Sequence, residues 1–176
     1  MTKWKIGNSY IGKNEPVYII AEAGINHNGN LKKAIKMIDE AKLAGANAIK
    51  FQTFLAEDLT SKKSKYFKLF KNLEFSDNDF KKLSDYSKKK KIEFLSTPFS
   101  FKAVDLLDEL NVAAFKIASG DITNIPLIEY ASSKKKPMIL STGMSKISEI
   151  KEAVKAINSQ KNNYKKHEFI NNQWFD

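Results

Sequence analysis

The chain contains no cysteine, which excludes a disulfide framework and any thiolate metal site. It contains no arginine either. Arginine is the usual bidentate reader of phosphates and base edges. A formal net charge of +10 carried by lysine alone therefore argues against a nucleic-acid face. The lysine runs, Lys62-Lys63, Lys88 to Lys91 and Lys134 to Lys136, fall at expected helix ends and loops. There they complement the C-terminal helix dipole and keep the surface solvated. A compositional bias toward Lys, Asn and Ile accounts for them equally well. No apolar stretch approaches the roughly 18 residues of a membrane span, and Met1-Thr2-Lys3-Trp4-Lys5 lacks the apolar run of a signal peptide. The expectation is a soluble, cytoplasmic protein with neither nucleic acid nor membrane as partner.

What is present is enough for one domain: 176 residues, 42% of them hydrophobic. Short apolar, β-rich runs alternate with amphipathic helical patterns, as in successive βα units. Lys5 to Ile11, turning at Gly7-Asn8, predicts a leading hairpin. Strands are expected at Val17–Ala23, Ala46–Gln52, Ile92–Ser96, Ala113–Ala118 and Met138–Ser141. Helices are expected from Leu31 to about Ala44, with Asn30 as N-cap and Gly45 as stop, and from Ser76, whose Asp79 completes a capping box, to about Lys90. Others run from Ser100 to Leu110, from Pro126 to Lys134, and from Ser145 to about Asn158. A long Lys- and Phe-rich connection reaches Phe75. Parallel strands joined by helices fit a doubly wound sheet or a TIM barrel. Polar residues at the ends of five successive strands (Glu22, Lys50 with Gln52, Ser96-Thr97, Lys116 with Ser119, Ser141-Thr142) favour a barrel mouth.

Two lysines lie inside otherwise apolar strands: Lys50 in Ala46-Asn47-Ala48-Ile49-Lys50-Phe51-Gln52, and Lys116 in Ala113-Ala114-Phe115-Lys116-Ile117-Ala118-Ser119. A buried ammonium costs several kcal/mol unless it is compensated, and one anion could compensate both. The hydroxyls of Thr97, Ser119 and Ser141 and the amides of Ser119-Gly120 and Thr142-Gly143 would complete a phosphate and carboxylate cradle. The bland alternative is that both lysines snorkel out of strand ends. Glu22 suits a general acid/base, an orienting carboxylate, or a structural partner for Lys50. Gln52 shares the face of Lys50, two residues on. His27, in Asn26-His27-Asn28-Gly29, fits a loop role as well as a functional one, and one histidine does not define a metal site. His167 carries no signal. Neither G-x-G-x-x-G nor G-x-x-x-x-G-K-[ST] occurs, so nucleotide binding has no motif support.

Five blocks carry a specific resemblance: Ile20-Ala21-Glu22-Ala23-Gly24-Ile25-Asn26-His27-Asn28-Gly29, Ala48-Ile49-Lys50-Phe51-Gln52-Thr53, Ser96-Thr97-Pro98-Phe99, Phe115-Lys116-Ile117-Ala118-Ser119-Gly120-Asp121 and Ile139-Leu140-Ser141-Thr142-Gly143-Met144. In order and spacing the sequence resembles the sialic acid synthase family over about residues 5 to 158. The resemblance implies a TIM barrel that condenses phosphoenolpyruvate with an N-acetylated amino sugar such as N-acetylmannosamine, using Mn²⁺ or Mg²⁺. It implies Lys50, Thr97, Lys116, Ser119 and Ser141 as phosphoenolpyruvate contacts, Glu22 as the catalytic carboxylate and Gln52 as a sugar-facing residue. Ser119 to Asn124 resembles the sialic or legionaminic branch more than the pseudaminic one.

Members of that family are roughly twice as long and dimerise. Their second half supplies the remaining barrel strands, two metal-ligating histidines and a C-terminal antifreeze-like domain. The expectation is thus an α/β chain of TIM-barrel type over residues 1–158, cut after about five βα units, with an irregular tail over 159–176, no metal ligands and no antifreeze-like domain. Such a chain would be inactive alone, or active only with another chain supplying the missing strands. Two other readings remain: a related synthase acting on a phosphorylated sugar, and a non-catalytic remnant that binds phosphoenolpyruvate weakly or assembles with a longer homologue.

Overall fold

The computed structural model describes residues 3–159. It opens with an antiparallel hairpin, β1 (Trp4–Ile6) and β2 (Ser9–Ile11). Gly7 takes the positive φ (+56°) that this two-residue turn demands. Strand–helix units follow: β3 (Ile20–Gly24), α1 (Leu31–Leu43), β4 (Ala48–Thr53), α2 (Ala56–Leu59), α3 (Phe67–Leu73), α4 (Asp77–Lys90), β5 (Glu93–Pro98), α5 (Phe101–Glu109), β6 (Phe115–Ile117), α6 (Ile125–Ser133), β7 (Met138–Leu140) and α7 (Ile147–Ser159). A single 3₁₀ turn, Ser119–Asp121, follows β6. The order β3-β4-β5 forms one parallel sheet, and β6-β7 forms a second parallel pair with β6 beside β5. The α/β class and the parallel order match the sequence expectation. No helix among the described residues is long and apolar enough to cross a membrane.

The helices end where local chemistry ends them. Asn30 accepts from the Lys33 amide to cap α1, and Gly45 follows its C-cap Ala44 with φ +81°. Ser76 and Asp79 form a reciprocal capping box on α4. Ser100 caps α5 through the Ala103 amide. Asn124, with Pro126 in the first turn, starts α6.

Period-two alternation gives the strands two different faces. Ala23, Ile49, Phe51, Phe94, Phe115 and Ile117 point outward and pack with Ile38, Leu83, Val104, Leu107 and Ile128 of the helices in the main core. Each such fully buried large side chain contributes about 1.5–3 kcal/mol. On the opposite face, Ala48, Leu95 and Ala114 cluster with Ile6 of the hairpin, with Ile20 and Ile139 packed against them. The hairpin therefore seals the strand starts. Along this inner face the chain turns polar toward the strand ends: Ala48 gives way to Lys50, Leu95 to Thr97, Ala114 to Lys116.

Several boundaries differ from expectation. Strand β3 begins at Ile20 rather than Val17, because Ile19 donates its amide to the Asn47 side chain (2.7 Å) and not to a ladder. Strand β6 is only three residues long. The connection to Phe75 folds into α2 and α3. Ser145 does not cap α7; its hydroxyl donates to Gly143 O, and Glu149 reaches back to the Lys146 amide (2.7 Å). The tail expected after Ser159, with His167, lies outside the described residues.

Candidate functional site

Register brings the polar strand ends together. Glu22 pairs across the sheet with Lys50, and Gln52 with Thr97. Lys50 is 8% exposed, and its ammonium forms an ion pair with the Glu22 carboxylate, whose side chain remains half exposed. Lys116 reaches the same space from β6. Its ammonium donates to Ile117 O at 2.7 Å. Burial, and second the nearby Lys50 charge, push its pKa down to about 8, with Glu22 acting in the opposite direction. The two amines and the carboxylate thus share one electrostatic environment.

Three expected hydroxyl residues lie at the ends of the same strands or in the loops that follow them. Thr97 is buried at the end of β5. Ser141 extends the β6–β7 ladder by donating its amide to Ile117 O (3.1 Å). Ser119 opens the 3₁₀ turn, with its Oγ 3.8 Å from where a Cβ on Gly143 would stand, so the loops after β6 and β7 abut. Ser96 departs from expectation. It faces the helices, bonded to the Thr53 hydroxyl at 2.7 Å, and takes no part in this face. Asn26 was not expected in the cluster. Its Nδ2 donates to Ala23 O (3.1 Å), and with Glu22 Oε1 and Gln52 Nε2 it crowds within 3.9 Å of the position a Gly24 Cβ would take. An asparagine four residues after the Glu22 carboxylate, just beyond the end of β3, is the signal that could have flagged it.

His27 is fully buried and serves the loop. Its ring stacks on Phe75 at 4.0 Å, and Nδ1 accepts from the Gly29 amide at 3.1 Å. Burial first and the Lys33 charge second lower its pKa to about 4, so it is neutral, with the remaining proton on Nε2. Gly29 is held at φ +69°, and a Cβ there would lie 2.1 Å from Asn72 O, which ties the β3–α1 loop to the end of α3. Among the described residues no group of three or more His, Asp or Glu could hold a metal ion. With His27 committed to Gly29 and Glu22 to Lys50, the described residues do not by themselves fit the divalent ion that the family resemblance implies.

These features define a class first: an α/β protein of parallel strand–helix units with a cation- and hydroxyl-lined polar face at its strand ends. The chain belongs to the NeuB family, whose model matches residues 37–167. It is 54% identical over 157 residues to the uncharacterized protein MJ1065 of Methanocaldococcus jannaschii, covering 89% of this chain and 47% of that one. To the N,N'-diacetyllegionaminic acid synthase of Legionella pneumophila it is 40% identical over 160 residues, covering 83% and 45%. The crystal structure of the N-acetylneuraminic acid synthetase of Leptospira borgpetersenii, in complex with citrate, superposes with a TM-score of 0.87 at 44% identity, over 91% of this chain and 56% of that one. The chain spans about half the length of the curated relatives it matches.

Proposed function

We propose that this chain carries the phosphoenolpyruvate-binding part of a nonulosonic acid synthase, and that its strand–helix units are an arc of a TIM barrel completed by further units homologous to the rest of its relatives. In the complete site, C3 of phosphoenolpyruvate attacks the aldehyde of an open-chain N-acetylated amino sugar. Water adds at C2 and the phosphate leaves, so that one C–C bond forms and one C–O bond to phosphate is lost with no change of oxidation state overall. Lys50 and Lys116 neutralise the phosphate and carboxylate, and Thr97, Ser119 and Ser141 donate to their oxygens. Glu22 sits where it can orient the acceptor or move a proton at its aldehyde oxygen. Gln52 beside it would hold an acceptor hydroxyl. The setting proposed for this chemistry is the cytoplasm, where phosphoenolpyruvate is made.

The observation that supports this reading is the convergence of Lys50 and Lys116, which leaves two half-compensated cations on one face. Calorimetric titration of the chain with phosphoenolpyruvate tests it. Lys50→Met and Lys116→Met should each weaken binding roughly 30-fold, the cost of about 2 kcal/mol for one charge-assisted hydrogen bond. Lys89→Met, on an exposed helix end, should leave it unchanged. Equal losses in all three variants, or no binding to the wild type at millimolar ligand, would reject the reading.

A further inference from the structure

We propose that the polar face consists of two equivalent oxyanion half-sites, Lys50 with Thr97 and Lys116 with Ser141, generated by an internal structural repeat. The face would therefore take two separate phosphates, or one compact molecule bearing two anionic groups. This rests on the reading of the face as an anion site, and divides that site in a way that phosphoenolpyruvate binding alone does not require.

The repeat shows first in the helices outside the sheet. Asp39 on α1 accepts from the Tyr86 hydroxyl (3.0 Å) and pairs with Lys90 (2.6 Å), both on α4. Asp105 on α5 accepts from the Tyr130 hydroxyl (2.7 Å) of α6 and pairs with Lys134 (2.6 Å) at the C-cap of that helix. Each aspartate stands eleven residues before a strand lysine, Lys50 or Lys116, and each tyrosine eleven residues before a hydroxyl, Thr97 or Ser141. The turns between them repeat as well. Gly45 and Asn111, five residues before those lysines, both have positive φ (+81° and +54°). So do Lys91 and Lys135 (+56° and +60°), six residues before those hydroxyls.

The strands repeat the same geometry. Lys50 pairs in register with Leu95, and Lys116 with Ile139. Two residues beyond each partner, on the same face, come Thr97 and Ser141, the latter held in line by its amide bond to Ile117 O (3.1 Å). Below them Ala48, Leu95 and Ala114 form the buried inner layer, with Ile139 packed against it. Around the arc, that apolar layer is followed two residues on by lysine, hydroxyl, lysine, hydroxyl. A lysine supplies a charge with three donors and the neighbouring hydroxyl one more, which suffices to hold an oxyanion. The half-sites differ in one respect. Glu22 already pairs with Lys50, so the Lys116 half-site should fill first.

The test is linkage between phosphate binding and unfolding, in urea at about pH 7.5 with ionic strength held constant by chloride. Once phosphate exceeds its dissociation constants, each tenfold rise should lower the unfolding constant of the wild type about 100-fold, the response of two sites. Lys50→Met and Lys116→Met should each respond about tenfold, and the double variant not at all. Inorganic pyrophosphate, which spans both half-sites, should bind the wild type at least tenfold more tightly than phosphate and lose that advantage in either single variant. A tenfold response in the wild type, or a double variant that responds as the wild type does, would overturn the proposal. Pyrophosphate binding no tighter than phosphate would overturn it too, and these wild-type results decide it even if a variant failed to fold. Titration with phosphoenolpyruvate separates the two readings. One phosphate site with phosphoenolpyruvate still bound removes the paired half-sites and keeps the anion site, whereas failure of both ligands to bind removes both.

Discussion

Raising the pH from about 7.5 to about 9.5 should weaken phosphoenolpyruvate binding roughly 20-fold, and the loss should trace to one side chain. In the free protein Lys116 loses its proton around pH 8, so most molecules at the upper pH lack the second cation. A bound anion favours the ammonium and returns its pKa toward 10.5, and linkage between these two values yields the 20-fold figure. The ligand's own phosphate titrates near pH 6 and is fully ionised throughout. The assay is calorimetry in two buffers of different ionisation enthalpy, which also reports proton uptake. Binding at pH 8.5 to 9.5 should take up most of one proton. Lys116→Met should bind more weakly at neutral pH and show neither the decline nor the uptake. A flat profile in the wild type, or an unchanged one in the variant, would refute the reasoning that ties Lys116 to the anion.

Other substitutions carry equally definite signs. Lys116→Met should stabilise the fold. The gap between 10.5 and about 8 corresponds to about 3 kcal/mol against the charged form, and partial exposure reduces this to about 2. Because the folded value lies below the unfolded one, the penalty is complete below pH 8 and fades as the pH rises toward 10.5. Urea unfolding at both ends of that window should therefore find the gain only at the lower pH. Glu22→Gln should abolish turnover of the completed enzyme yet bind phosphoenolpyruvate at least as tightly, since it removes the anion that now satisfies Lys50; weaker binding would place Glu22 among the ligand's own contacts. Gly29→Ala should cost more than about 2 kcal/mol in the same unfolding assay, because φ +69° and the contact with Asn72 O at 2.1 Å both oppose a Cβ. A neutral result would mean that the β3–α1 loop is not braced against α3.

Much of this arrangement was legible in the chain because local chemistry and global fold agree. The capping box at Ser76, the Asn30 cap with Gly45, and the Gly7 turn each specify a boundary within a few residues. Alternation within β4 placed Lys50 and Gln52 on one face before any coordinates. What remained hidden depended on partners distant in sequence. Residues 56–73 carry no clean periodicity, and α3 buries little beyond Leu73, so the segment read as loop. Ser96 and Thr97 look alike in sequence, yet the first bonds to Thr53 on the helix side and the second faces the lysines. His27 has no local signature of burial; Phe75, 48 positions later, receives it. Asn26 stands beside Glu22 and Gln52 at the end of β3, where the register with β4 shifts between Glu22 and Gly24.

The most direct measurement is a crystal structure of the chain with phosphoenolpyruvate. The account predicts ligand oxygens within hydrogen-bonding reach, about 2.7–2.9 Å, of both the Lys50 and Lys116 amines, with Ser119 and Ser141 on the same molecule. Density for the ligand at a different surface, or against one of these lysines while the other points away, would contradict it.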